Sequence, residues 1–237
     1  MSVLDVGGVN NVRDVGGMPA AGGRIRQGIL LRSGQLSGAT AKGAEELRGR
    51  VAHIVDLRDG EEVAAEPSEI VGPDTTHLPL FLGSVRSFFE TDTSLEDLYL
   101  HLLEESGGRL VEAIRIIAAG EPTLVHCTVG KDRTGVTVAL ALSAVGADRE
   151  AVIEDYALTE SQLPPERNRR IAAYLTELHP EAVNAVALAT QSPAPVMRRL
   201  LEMVDERWGS AADYLRAQGM TDAELAALTA ALVEPVE

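Results

Sequence analysis

Residues 123–145 constrain this chain more than any other stretch. Thr123-Leu124-Val125-His126 is short, centred on two apolar residues and preceded by Pro122, the pattern of a buried strand. Gly135 to Val145 (GVTVALALSAV) is apolar on every helical face, so it must be buried all round, and Gly146 is placed to cap it. A buried strand feeding a buried helix through one loop belongs to a parallel sheet with helices against it. The rest of the chain supplies neighbours. Val51 to Leu57 (VAHIVDL) is β-branched and ends in the polar turn Arg58-Asp59-Gly60, so it reads as a second strand. Ile29-Leu30-Leu31 is a short apolar run after a Gly-rich start, and Thr76 to Leu80 is a further strand candidate. Helical patterns cover 40–49, 95–119 with a break at Gly107-Gly108, 148–158, 166–178, 194–207 and 210–217. The last helix, Thr221 to Val233, opens on a capping box between Thr221 and Glu224. The expectation is an α/β fold. It has a short, mostly parallel central sheet flanked by helices and a helical C-terminal third, in a single domain over 1–237.

Composition removes several function classes. The chain has 237 residues, 21 basic against 36 acidic, for a formal net charge of −15. A general nucleic-acid binder needs a basic face, so no nucleic-acid partner is expected. Cys127 is the one cysteine, which excludes an internal disulfide and a paired-cysteine zinc site. The five histidines, His53, His77, His101, His126 and His179, do not fall at metal-ligand spacing, and no calcium loop is present. No metal and no cofactor are expected. No apolar run is long enough to span a membrane, and the N-terminus has neither a basic n-region nor an apolar h-region. The expected location is the cytoplasm. Nothing in the sequence speaks to an oligomeric state.

Between the strand and the helix lies Cys127-Thr128-Val129-Gly130-Lys131-Asp132-Arg133-Thr134. A loop that runs into a helix N-terminus can converge its backbone N–H groups on one point, where the helix dipole adds positive potential. A tetrahedral dianion fits such a cradle, held by Thr128, Val129, Gly130 and Lys131. Arg133 at the far end can hold two oxygens with its planar fork. Cys127 at the near end faces the phosphorus, and the same field favours its thiolate as nucleophile. The Thr134 hydroxyl is placed to donate to that sulfur, and Asp132 to protonate a departing oxygen. A nucleotide-binding P-loop does not fit, because Gly130-Lys131 is followed by Asp132 where Ser or Thr is required.

The segment HCTVGKDRTG resembles the HCxxGxxR[ST] signature of the protein tyrosine phosphatase superfamily. It is most similar to bacterial tyrosine phosphatases of the mycobacterial protein tyrosine phosphatase B type. The resemblance extends to Asn11 through Gly17 (NxRDxGG), to Arg32-Ser33, and to Asp56-Leu57-Arg58 with Glu61 or Glu62 (DLRxxxE). It continues in Asp155-Tyr156 and in Tyr214-Leu215 after Gly209. It implies a phosphatase fold and a metal-free two-step reaction through a phosphocysteine on Cys127. The implied substrates are phosphotyrosine proteins, with dual specificity or phosphoinositide activity open because lipid-directed relatives share the loop lysine, here Lys131. His126 is implied to order the loop. Arg13 and Asp14 are expected to pin the N-terminal segment near the site, and Arg58 to pair within the fold. Asp132 is the first choice of general acid, Asp56 and Asp59 the second, and Asp92 and Asp97 the third. The resemblance also implies a helical lid over 156–190 with Pro164-Pro165 as a hinge. The alternative reading is that these helices simply cover core.

Two other functions fit the same loop. One is a phosphate-binding module without turnover, which the presence of Cys127, Arg133 and Thr134 disfavours. The other is arsenate reduction, which commonly recruits further cysteines that this chain lacks.

Overall fold

Alternation along three short strands sets the layers. In β5 (Leu30–Ser33), β6 (His53–Asp56) and β8 (Thr123–His126), successive side chains leave the sheet on opposite faces. Leu30, Val55 and Val125 enter the main hydrophobic core, whereas Leu31, Ile54 and Leu124 enter a smaller one with Val6, Val12 and Leu36. Both faces are therefore covered, as a parallel sheet requires. The computed structural model describes residues 1–80 and 92–235.

β8 lies between β5 and β6 and is parallel to both, with His126 opposite Ser33 on one side and Asp56 on the other. β7 (Asp74–His77) extends the parallel part beyond β6. On the other edge, β2 (Arg13–Asp14) and β1 (Ser2–Val3) add antiparallel, giving the order β1-β2-β5-β8-β6-β7. A second, antiparallel sheet joins β3 (Pro19–Ala20), β4 (Gly23–Ile25) and β9 (Val233–Pro235), tying residues 23–25 to residues 233–235.

Helix α1 (Ala41–Arg48) covers the smaller core through Leu47. α2 (Gly60–Ala65) follows β6 and is opened by a capping box between Asp59 and Glu62. The main core is built from α3 (Leu95–Glu105), α4 (Gly107–Ala118), α5 (Asp132–Ala144), α6 (Arg149–Gln162), α9 (Ala194–Trp208), α10 (Ala211–Ala217) and α11 (Asp222–Leu232). α5 is its axis, with every residue from Arg133 to Leu142 buried. Gly146 follows it with φ +76°, the left-handed turn that ends such a helix. α11 opens on the Thr221–Glu224 capping box that the sequence predicts.

Helices α7 (Pro165–Leu178) and α8 (Ala185–Thr190) form a small cluster of their own, and Leu188 of α8 packs against the main core. They pack on one another around Leu175, Ala182 and Ala185 and leave Tyr174, Leu178 and Val183 exposed. Among the described residues, no helix is long and apolar enough to cross a membrane.

The structure differs from the sequence reading at several boundaries. The strand expected over Thr76 to Leu80 lies at Asp74–His77. α5 begins at Asp132, three residues before the apolar run, because its first turn is polar and carries the loop's own residues. The N-terminal strands, α2 and α8 carry no periodic signal. The first are two or three residues long, and α2 buries no side chain.

Candidate active site

Cys127 leaves β8 at the level where β5 and β6 also end, at the carboxyl edge of the parallel strands. From there the chain runs directly into α5. No side chain caps the α5 N-terminus, so the first N–H groups of the helix remain open toward the loop.

The loop carbonyls are held from behind. The Gln35 N–H donates to Thr128 O at 3.0 Å. Asn11 Nδ2 donates to Val129 O and Gly130 O at 3.2 and 3.1 Å, and Arg32 donates to Gly130 O at 2.8 Å. A trans peptide points its N–H opposite to its C=O. Fixing those three carbonyls outward therefore aims the N–H groups of Val129, Gly130 and Lys131 to the inner side. One of them, Gly130 N–H, donates to Cys127 Sγ at 3.3 Å. Gly130 has φ +74°, and a Cβ there would lie 2.2 Å from Ser33 O, so only glycine closes the loop this tightly.

Asn11 itself sits at φ +63°, a conformation asparagine tolerates. Its side-chain oxygen accepts from Arg13, which leaves the amide NH2 for the loop. Arg13 and Arg32 then converge on one buried carboxylate, with Arg13 Nε 2.6 Å from Asp155 Oδ1 and Arg32 on Oδ2. Burial and the neighbouring Arg32 charge lower the Arg13 pKa to about 10 against the pull of Asp155. Burial raises Asp155, but the two guanidiniums outweigh it and hold its carboxyl below the usual range. Asp14 accepts from the N–H groups of Gly16 and Gly28 at 2.8 and 2.7 Å and so closes two turns.

Arg133 is gripped by Glu62. The two terminal nitrogens of the guanidinium lie 2.6 and 2.7 Å from the two carboxylate oxygens, and the Thr128 hydroxyl donates to Glu62 Oε1. Burial pushes Glu62 up, yet these bonds bring it down to about 2. Burial alone lowers the Arg133 pKa, but the charges of Glu62 and Cys127 raise it above its usual value. Arg133 Nε is buried with no partner among the described residues, as is Thr134 Oγ1. Arg133 Nε is thus an open donor, whereas the bond expected from the Thr134 hydroxyl to the Cys127 sulfur is not made in this structure.

His126 Nδ1 lies 3.2 Å from Cys127 O, and its Nε2 lies 3.7 Å from Asp56 Oδ2. Burial dominates and lowers the His126 pKa to about 4, so the ring is neutral at pH 7. Asp56 is held by Arg58, which donates to Oδ1 at 3.0 Å and Oδ2 at 2.7 Å. Burial raises Asp56, and Arg58 and His126 bring it below the usual carboxylate range, which does not suit an acid at neutral pH. Asp59 caps α2, Asp92 accepts from Asn184, and Asp97 receives the Ser94 hydroxyl.

Asp132, at the first turn of α5, accepts from Tyr99 Oη at 2.8 Å. Lys131 does not face the cradle. Its buried ammonium donates to Leu188 O and Gln191 O at 2.8 and 2.9 Å, at the C-terminal end of α8, and lies 3.0 Å from Asp132 Oδ1. Two functional positions, Asn11 and Glu62, stood in matched motifs without an assigned role. Tyr99 had no motif at all, lying beside the apolar stripe Leu95, Leu98 and Leu102. Among the described residues, no group of His, Cys, Asp or Glu is arranged to hold a metal ion.

The chain is similar in sequence to known proteins. A relative in Mycobacterium tuberculosis, the triple specificity protein phosphatase PtpB, is 29% identical over 94% of this chain and 96% of its own. A Cupriavidus necator protein assigned as a tyrosine-protein phosphatase is 31% identical over 88% of this chain and 81% of its own. A Nostoc commune tyrosine-protein phosphatase is 24% identical over 72% of this chain and 62% of its own. A family model described as the tyrosine phosphatase family matches residues 4–234, and the chain belongs to that family.

Proposed function

We propose that the protein is a cysteine-dependent phosphomonoesterase that works through a phosphocysteine, and that residues 1–237 act as one phosphatase domain. The Cys127 thiolate attacks phosphorus while the loop N–H groups and Arg133 hold the equatorial oxygens. As the ester P–O bond breaks, Asp132 gives its proton to the leaving oxygen. Water then attacks the phosphocysteine, Asp132 takes back a proton, and the Thr134 hydroxyl stabilises the departing sulfur. Asp56, His126, Arg13 and Asp14 support this machinery without touching substrate.

The observation that carries this reading is the inverted loop. Thr128, Val129 and Gly130 turn their carbonyls outward, Gly130 N–H donates to Cys127 Sγ, and Arg133, whose guanidinium feels the Cys127 charge, keeps its Nε unpartnered. A preorganised set of donors at the place where charge develops is what phosphoryl transfer needs. Phosphotyrosine protein is the favoured substrate. The Mycobacterium tuberculosis relative is named for triple specificity, so phosphoserine and phosphothreonine belong in the same assay. Phosphoinositide recognition through Lys131 is disfavoured, because its ammonium is already bound to α8.

The test is hydrolysis of p-nitrophenyl phosphate in EDTA, with acid quenching to trap phosphate on the protein. Turnover, a trapped phosphoprotein, and loss of both in Cys127→Ser are expected. No turnover by the reduced protein would return the binding module to first place.

A further inference from the structure

Two donors converge on a single oxygen of Asp132. Tyr99 Oη lies 2.8 Å from Oδ1, and Lys131 Nζ lies 3.0 Å from the same atom. Tyr99 is fully buried on α3, and its hydroxyl is also 2.7 Å from Tyr156 Oη on α6. The two rings meet edge to face, with centroids 6.0 Å apart.

A phenol has one proton. The Tyr99 proton is committed to the carboxylate, so in the pair of phenols Tyr156 donates and Tyr99 accepts. Donation therefore runs one way, from Tyr156 to Tyr99 to Asp132 Oδ1. Burial and the adjacent Asp132 charge hold the Tyr99 pKa well above its ordinary value, which keeps this phenol a donor.

The consequence concerns the acid form of Asp132. A carboxylic acid has two oxygens and one transferable proton. Oδ1 already accepts from the phenol and faces the ammonium at 3.0 Å, so a proton placed there would displace the first and be repelled by the second. Oδ2 is then the oxygen that carries the proton. We propose that Tyr99 is a positioning residue, backed by Tyr156, that assigns the acidic proton of Asp132 to Oδ2 and fixes the carboxyl for its transfer. In the reaction the Oδ2–H bond breaks, the proton joins the leaving oxygen, and the electron pair stays on the carboxylate. The new negative charge is met at Oδ1 by donors already in place. This inference rests on the reading of Asp132 as the general acid.

Packing alone does not account for the Tyr99 hydroxyl. A phenylalanine would fill the same core volume without a polar group to satisfy. Here the polar group meets a loop residue 33 positions away in sequence.

The experiment uses aryl phosphates whose leaving groups run from dinitrophenol, which departs without a proton, to phenol, which needs one. The dependence of kcat/KM on leaving-group pKa is measured for wild type, Asp132→Asn, Tyr99→Phe and Tyr156→Phe. Asp132→Asn is expected to steepen it most. Tyr99→Phe should steepen it in the same sense, losing roughly 10-fold on phenyl phosphate, a fraction of a full general-acid contribution, and much less on dinitrophenyl phosphate. Tyr156→Phe should follow with a smaller change. A steep Asp132→Asn line beside a wild-type slope in Tyr99→Phe, whether its rates are normal or uniformly lowered, would overturn the positioning role. A wild-type slope in Asp132→Asn would instead remove Asp132 as the acid, and this inference with it.

Discussion

Glu62 holds both terminal nitrogens of Arg133, at 2.6 and 2.7 Å, and so fixes the plane of the guanidinium beside Cys127. A fork held on one edge leaves Nε as the donor on the other. Glu62→Gln keeps the size but weakens a charge-assisted pair to a neutral one. The expected loss in kcat/KM for p-nitrophenyl phosphate is roughly 10- to 100-fold, from about 1.5–3 kcal/mol per charged hydrogen bond. Steady-state kinetics of a folded variant check it.

Acid destabilises the protein in two stages. His126 titrates near 6.5 when exposed but at about 4 when folded, so protons bind the unfolded chain first. Stability from this group is complete above about pH 6.5 and is lost as pH falls toward 4. Glu62, lowered from 4.5 to about 2, adds a second loss between those values. Each group contributes a slope of at most about 1.4 kcal/mol per pH unit. Urea unfolding across pH 7 to 4 should show the first stage, and His126→Asn should flatten it.

Gly130→Ala is expected to fail at the loop. The added Cβ meets backbone at 2.2 Å, at a φ that alanine disfavours. Activity should fall more than about 100-fold, since a misplacement of about 1 Å costs that much. Kinetics together with the denaturation midpoint separate loop damage from unfolding.

Asp155→Asn removes the charge between two buried guanidiniums. Breaking a buried pair by neutralising one partner costs about 3–5 kcal/mol. Arg13 also orients Asn11, so the loop carbonyls lose their support with it. Lowered Tm and lowered activity should appear together, read by calorimetry and p-nitrophenyl phosphate turnover.

Lys131→Met should loosen the α7–α8 pair without unfolding the core. That pair has its own small hydrophobic cluster and is joined to the loop through Lys131. Amide exchange over 165–190 is expected to rise about 10-fold or more, given hydrogen bonds of about 1.5 kcal/mol or above. Exchange in α5 should stay as slow as in wild type.

The central βα unit was legible because its signals are local. A four-residue run makes a buried strand, an eleven-residue run makes a buried helix, and Cys127 and Arg133 stand at the loop ends. Arg58 reads in sequence as an ion-pair partner, and it pairs with Asp56. What sequence did not disclose depends on distant contact. Lys131 looks like a phosphate ligand in a one-dimensional motif, yet backbone carbonyls of Leu188 and Gln191 take its ammonium. Glu62 has no visible partner until α2 brings it to Arg133, 71 residues later. Tyr99 sits beside an apolar stripe, and only the crossing of α3 with α5 gives its hydroxyl a purpose.

The placement of Lys131 also sets the protein's amine chemistry. The chain has two lysines, Lys42 on the surface and Lys131 buried under the end of α8. Acylating reagents therefore meet one ready side-chain amine and one that reacts only after the helical pair lifts away. The acylation rate of Lys131 relative to Lys42 is a built-in clock for that opening, readable by mass spectrometry without adding a probe.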